Sequence, residues 1–209
     1  MSEPIHRWYH SVMGFPPTLV RQAISDLDCR SSGWLLDPFC GTGTTLIESK
    51  RASVSAIGVD ANPFSAFCSQ AKTDWTVDPK ELSSTLARMN KVIMASEKPP
   101  RVRVADYPHT VKNGWVTPVI WARASTYFDL SKRIRKTNLR DIIQLAIISA
   151  IKEDCADVAF GPEIYKRARK RHVSVYSGPL CQDTIWVKVK IASVLSFEMN
   201  WLLVSSRCK

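Results

Sequence analysis

Asp37, Gly41, Gly43 and Asp60 are the residues whose types and spacing could hold a ligand. Asp37 closes a short apolar run, Trp34-Leu35-Leu36, and leads into Pro38-Phe39-Cys40-Gly41-Thr42-Gly43-Thr44-Thr45. A second apolar run, Val54 to Val59, is closed by Asp60 and followed by Ala61-Asn62-Pro63. A ligand with a nucleotide-like half needs the backbone to approach it closely at the end of a strand. Glycine permits that approach, since it lacks a Cβ and tolerates positive φ. A helix beginning near Thr44 would direct its free N–H groups at the ligand. An acid ending the first strand can pair with an ammonium group, and an acid ending the second can accept both hydroxyls of a ribose. Asp60 follows Gly43 at about the distance that a βαβ unit sets. The loop is not a P-loop, because no Gly-Lys-[Ser/Thr] follows it, and it lacks the spacing of the dinucleotide fingerprint GxGxxG.

The elements that must position these residues are legible around them. Residues 34–37 read as a short buried strand and 44–51 as a helix with Leu46 and Ile47 inward. Val54 to Val59 reads as a second strand, and Asn62-Pro63 starts another helix through Phe64, Ala66, Phe67 and Ala71. Strand, glycine turn, helix, strand and acid in this order open a doubly wound α/β sheet. Upstream, Thr18 is placed to cap a helix whose apolar stripe is Leu19, Val20, Ala23, Ile24 and Leu27. Downstream, 78–96 reads as a helix with Leu82, Leu86, Met89, Val92 and Ile93 inward, 98–101 as a break, and 102–128 as irregular and aromatic-rich. From Leu139 to Ile151, apolar residues recur at i, i+3, i+4 spacing, with Asn138 as the expected N-cap. The tail beyond Gly178 changes character, and 185–191 alternates as one half-buried strand.

The whole chain bounds the answer. It has 209 residues, 45% hydrophobic and 23% charged, without a low-complexity tract, which suits one sizeable core or a core with a small lobe. The formal net charge of +10 points to a polyanionic partner, with nucleic acid first. The six cysteines form no CxxC pair and no zinc-spaced cluster, so they read as reduced thiols of a cytoplasmic protein and no metal is implied. The polar start MSEPIHRWYH has no apolar h-region, so no signal peptide is expected. No apolar run is long enough to span a bilayer, and no membrane partner is expected.

The strings LLDPFCGTGTTLIES and AIGVDANP resemble the first two motifs of S-adenosylmethionine-dependent methyltransferases that act on exocyclic amino groups of DNA bases. Phe15-Pro16-Pro17-Thr18-Leu19-Val20 is similar to the family's segment before the first motif, which helps close over the cofactor. The resemblance is dense over 6–75 and thin beyond it, although FGPEIY and the basic run after it are similar to an insert of some members. It implies a Rossmann-like α/β methyltransferase sheet with a helical insert, S-adenosylmethionine as cofactor and DNA as partner, as in restriction-modification. The methionine end of the cofactor would lie against Asp37, Gly41 and Gly43, and its ribose on Asp60. The candidate cofactor-binding residues are Asp37, Pro38, Phe39, Cys40, Gly41, Thr42, Gly43, Thr44, Thr45, Asp60, Ala61 and Asn62. The implied organisation is a cofactor-binding half over 1–75, a mainly helical insert over 76–177 and an atypical tail over 178–209.

The family's catalytic tetrapeptide, [Asp/Asn/Ser]-Pro-Pro-[Tyr/Phe], does not occur in the chain. Its polar side chain holds the target amine and its ring stacks on the flipped base. Phe15-Pro16-Pro17-Thr18, Lys98-Pro99-Pro100-Arg101, Asp106-Tyr107-Pro108 and Gly161-Pro162-Glu163-Ile164-Tyr165 all depart from it. No catalytic residue is therefore assigned. The expectation is a catalytically incomplete piece, truncated or changed in reading frame near Gly178, with an incomplete sheet and a second chain as a source of the motif. The Pro-Cys nucleophile of ring-carbon methylation is absent as well, so Cys40 is expected to be a packed residue.

Lys166, Arg167, Arg169, Lys170 and Arg171 are the candidate nucleic-acid contacts, against the plainer reading of a solvated charged face. Lys132, Arg133, Arg135, Lys136 and Arg140 form a second basic cluster. His6, Trp8, Tyr9 and His10 are placed either to cover the cofactor or to pack against the first helix. Asn62-Pro63-Phe64 would either shape an adenine pocket or simply start a helix. His109 and His172 have no evident partners in the sequence and default to surface or core. Two rival functions remain: a tRNA guanine amino-methyltransferase, whose loop is similar, and a non-catalytic cofactor- or DNA-binding remnant.

Overall fold

In the computed structural model, which describes residues 5–9, 11, 14–29, 33–95, 108–152, 158–160 and 164–166, the chain divides into a first unit, Met1–Thr76, and a second, Val77–Lys209. The first unit opens with a 3-10 turn, Ile5–Trp8, followed by α1 (Pro17–Asp26). Two prolines fix the start of α1, with Pro16 at the cap position and Pro17 inside the first turn, and no side chain caps it. Thr18 is thus inside the helix and not its cap, because Pro17 needs no N–H partner and already carries helical φ. The buried face of α1 is narrower than the periodicity predicts: Pro17, Val20 and Ile24 are buried, whereas Leu19, Ala23 and Leu27 are exposed.

β1 (Trp34–Asp37) and β2 (Ser55–Gly58) pair in parallel, with Leu36 opposite Ile57 and Asp37 opposite Gly58. α2 (Thr44–Arg51) makes the crossover and α3 (Pro63–Thr73) follows β2. The core of this unit forms where Val20 and Ile24 of α1 meet Val54, with Leu35, Ala52 and Cys29 packed around them. Ile47 of α2 is completely buried, a burial worth about 1.5–3 kcal/mol relative to exposure. β1 is not the buried strand that the apolar run predicts. Its residues alternate, and Trp34, Leu36, Ile57 and Val59 are all exposed. Strand period 2 sends Leu35 to the helices and its neighbours to the opposite face. Among the described residues this parallel sheet has two strands.

The second unit is mainly helical. α4 (Pro79–Ala95) buries Leu82, Leu86, Met89 and Ile93 at helical spacing, but leaves Val92 exposed. The stretch expected to be irregular instead contains α5 (His109–Lys112) and α6 (Pro118–Lys132). The Thr117 hydroxyl accepts from the Ile120 N–H, and Pro118 sits in the first turn, so α6 has the cap that its aromatic content hid. Tyr127 of α6 is buried and donates to Asn90 Oδ1 at 3.3 Å. Burial pushes its phenol up to about 12, against the opposing pull of the Arg123 charge.

α7 (Thr137–Ala150) buries Leu139, Ile142, Ile143, Leu145, Ile147, Ser149 and Ala150, as befits a helix that is apolar over most of its circumference. It starts one residue before Asn138. Lys136 occupies the cap position, and Asn138 Oδ1 accepts from the adjacent Leu139 N–H inside the first turn. β3 (Val158–Phe160) and β4 (Ile164–Lys166) pair antiparallel. The expected break at 98–101 and the expected strand at 185–191 lie outside the described residues. Among the described residues no helix is long and apolar enough to cross a membrane.

Candidate functional site

The loop between β1 and α2 is built by its glycines. Gly41 and Gly43 have φ of +52° and +89°, a region that side chains with a Cβ rarely occupy. Their surroundings differ. A Cβ on Gly43 would stand 2.8 Å from Ser69 Cβ, so this glycine lets the start of α2 close against α3. Nothing lies within 4 Å of the place where a Cβ on Gly41 would stand. A Cβ on Gly58, at the end of β2, would crowd Leu46 and Cys40 below van der Waals separation, so the loop, α2 and β2 are packed to the limit of glycine.

The two acids organise this loop through backbone N–H groups. Asp37 Oδ1 accepts from Phe39 N–H at 3.1 Å. Asp60 Oδ2 accepts from Gly41 N–H and its Oδ1 from Asn62 N–H, both at 2.8 Å. The Cys40 N–H donates to Val59 O at 2.9 Å and Val59 N–H to Asp37 O at 2.9 Å, which extends the strand pairing into the loop. The carboxylate that follows β2 is therefore bonded to the glycine turn that follows β1. A carboxylate offers about four acceptor positions, and Asp60 uses two of them here, leaving the others for further donors.

The remaining loop residues divide by environment. Pro38 and Phe39 are exposed, Phe39 at 84%, as are Ala61 and Asn62. Asn62 Oδ1 caps α3 by accepting from Phe64 N–H at 2.9 Å, which satisfies one of the orphan donors of that helix. Thr42 lies in the turn, Thr44 and Thr45 form the first turn of α2, and Thr45 is buried. Cys40 is buried too. Burial pushes its thiol up, and the Asp37 and Asp60 carboxylates push the same way against a hydrogen bond with Ser69. A thiol held protonated is a poor nucleophile, so Cys40 is a packing residue.

A network that the sequence does not announce sits behind the loop. Glu48 of α2 is buried, and its carboxylate meets His6 Nε2 at 2.7 Å, Arg51 Nη1 at 3.0 Å and Arg21 Nη1 at 3.2 Å. Lys72 of α3 is also buried and donates to Tyr9 O at 2.7 Å. Tyr9 meets the Phe64 ring edge-on at 5.1 Å. His6 and Trp8 are buried as core, while Tyr9 is half-buried. The one local signal is a glutamate inside the run Leu46-Ile47-Glu48-Ser49, where burial demands a partner. Its partner His6, however, is far away in sequence.

Lys166 ends β4 in the second unit, and Arg167, Arg169, Lys170 and Arg171 lie outside the described residues, as do Asp106, Tyr107, His10 and His172. His109 is exposed at the start of α5.

Comparison with known proteins places the same segment in context. Residues 8–72 match the DNA methylase family. The chain is 32% identical over 72 residues to the type II methyltransferase M.BsoBI of Geobacillus stearothermophilus, covering 34% of this chain and 14% of that protein. It is 36% identical over 62 residues to M.AvaI of Nostoc sp., covering 30% and 13%. It is 40% identical over 53 residues to M.MvaI of Kocuria varians, covering 25% and 12%. The matched region thus spans about one seventh of the first of these relatives. No solved structure matches the chain significantly. The match, the motif strings and the loop they build coincide on one segment, residues 8–72, which is similar to the DNA methylase family.

Proposed function

We propose that the first unit is the S-adenosylmethionine-binding half of a Rossmann-like methyltransferase acting on exocyclic amino groups of DNA bases, a restriction-modification enzyme of the cytoplasm. The single observation that carries the reading is the bond between Asp60 and Gly41 N–H, which brings the two acids and the open glycine turn into one loop cluster. The space over Gly41 suits a ligand in close approach to backbone. Asp37, with one oxygen bonded to Phe39 N–H, keeps the other for an ammonium group. Asp60 keeps acceptor positions for a vicinal diol. Pro38, Phe39, Thr42, Thr44, Thr45 and Ala61 would line the same cofactor, with Cys40 and Asn62 supporting the loop from behind.

S-adenosylmethionine supplies, when bound, an electrophilic methyl on a sulfonium. The residues of this chain bind and orient. Asp37 fixes the ammonium end, Asp60 the ribose, and the packed glycine loop holds both acids at a set separation. Positioning of this kind is a large part of group-transfer catalysis.

A second reading, a cofactor-binding polypeptide that does not catalyse alone, is favoured by the absent [Asp/Asn/Ser]-Pro-Pro-[Tyr/Phe] tetrapeptide, with a second chain then supplying it. Calorimetric titration of S-adenosylmethionine into the full chain tests the shared core of both. Saturable binding that Asp60→Ala abolishes is expected; a folded chain that takes up no cofactor overturns both. Methyl transfer to DNA then separates the two, and transfer to tRNA in preference to DNA would replace the substrate.

A further inference from the structure

Arg133, Arg135 and Lys136 of the second basic cluster, which the proposed cofactor site does not use, are built into a cleft of the helical unit. Between α6 and α7 the chain makes a tight turn through Arg133, Ile134, Arg135 and Lys136, with Ile134 N–H bonded to Ser131 O at 2.9 Å. The fully buried Ser131 locks this turn. Its hydroxyl donates to Phe128 O at 2.6 Å and accepts from Gln144 Nε2 of α7 at 3.1 Å. Lys136 Nζ reaches Glu81 Oε2 of α4 at 2.6 Å, tying the turn to that helix.

Glu81, Thr85, Arg88, Met89 and Val92 lie along one face of α4, at the spacing that aligns side chains on a helix. Together with the turn, they enclose a cleft of about 400 Å³, within the range of small-ligand sites. Its floor is apolar: Met89, Val92, Leu130, Ile134 and Leu139. Its rim is cationic: Arg88, Arg133, Arg135 and Lys136, all exposed. The carboxylate in the lining, Glu81, is already neutralised by Lys136. Among the described residues no carboxylate pairs with the guanidinium of Arg133 or Arg135.

A rim of unneutralised guanidinium groups over an apolar floor selects a ligand that is anionic on one side and flat and apolar on the other. Arginine forks match phosphate oxygens in geometry as well as in charge. A nucleotide within a polynucleotide has both faces, and a chain of net charge +10 carries the long-range attraction for one. We propose that this cleft is a DNA-backbone site, with a phosphodiester held by Arg88, Arg133 and Arg135 and the attached sugar or base resting on Val92 and Ile134. The sequence pattern points first to the run at 166–171; the cleft instead recruits Arg88 from α4, which no local pattern joins to the turn. The choice of DNA rests on the methyltransferase reading above, whereas the phosphate chemistry rests on the cleft alone.

The test is fluorescence anisotropy of a short labelled DNA duplex with the full chain, titrated across about 50–200 mM salt. Arg133→Gln with Arg135→Gln is expected to lower the slope of log affinity against log salt by about 1, the contribution of the one phosphate that these arginines hold. Val92→Asp, a change at an exposed position, is expected to weaken binding without removing a cation. Lys80→Gln with Lys91→Gln, exposed α4 cations outside the cleft, should leave the slope in place. An arginine double variant that binds as the parent does overturns the proposal. So does a lysine control that reduces the slope as much, since binding would then be diffuse. An RNA of the same sequence bound more tightly overturns the choice of DNA. Asp60→Ala should keep the DNA slope and the arginine variant should keep cofactor binding, so failure of the cofactor reading and failure of the cleft are separate results.

Discussion

Gly41 and Gly43 share a backbone region and are separated by one threonine, yet a methyl group would do different things at each. At Gly43 it would meet Ser69 at 2.8 Å in addition to the strained φ, so Gly43→Ala is expected to cost about 2–3 kcal/mol by chemical denaturation. At Gly41 the methyl would point into open space, so Gly41→Ala should cost about 1 kcal/mol of backbone strain while abolishing cofactor binding in calorimetry. Equal losses of stability for the two would mean that Gly41 is not a cradle. Cys40 gives a reactivity test of the same loop. Burial and two carboxylates stabilise its protonated form, and the thiolate is the reactive species. Alkylation at about pH 8, close to the pKa of an ordinary thiol, should therefore label Cys40 far more slowly than the partly exposed Cys29 when read by mass spectrometry. The loop contacts of Asp37 and Asp60, and the roles proposed for them and the glycines, are legible because each lies within a few residues of its own strand end. Glu48 is not legible in the same way, because what makes it special is a histidine 42 residues away, and burial of a charge can be read only once the fold has brought its partners.

The elements show the same division between local and long-range cause. β1, α2, β2 and α3 are marked by apolar runs bounded by acids, glycines and Asn62-Pro63, and they form over nearly those bounds. α6 escapes the pattern because its ring-bearing residues obscure a plain start signal, Thr117-Pro118. Which strand face is covered is not legible either, since alternation reports two faces and not which of them meets a helix. Glu48 holds α2 to α1 and to the segment before it, so Glu48→Ala should destabilise the chain by about 3 kcal/mol, the usual cost of stripping a buried charge network of one member. A loss below about 1 kcal/mol would mean that the cations relax into water. In the helical unit, Tyr127 gives a pH dependence. Its phenol is pushed up to about 12 when folded but has its ordinary value near 10 in the unfolded chain. Between these values the unfolded state binds fewer protons, so stability is intact below about pH 10 and falls as the pH rises towards 12. Tyr127→Phe should flatten that alkaline loss in denaturant titrations, and an unchanged alkaline slope would remove Tyr127 as its source.

At the scale of the whole molecule, binding and catalysis come apart. The loop that joins the two acids is complete within the described residues, and in the proposed reading cofactor affinity depends on that loop. Transfer of a methyl group needs more: a group that holds the amine in line with the sulfonium, and a ring on which the target base can stack. The chain carries the first set of residues and not the second, since none of its Pro-Pro or Pro-containing strings combines a polar residue, two prolines and an aromatic in that order. Among the described residues the parallel sheet has two strands and turns Trp34, Leu36, Ile57 and Val59 outward, an apolar face of the kind that marks an interaction surface or an association liability. The chain alone is therefore expected to bind S-adenosylmethionine and DNA yet incorporate no labelled methyl into DNA above the rate of the Asp60→Ala variant. Incorporation that Asp60→Ala removes would show that a tetrapeptide outside the usual pattern serves. Asp106-Tyr107-Pro108 would then be the first place to substitute, because it sets an acid and an aromatic beside a proline.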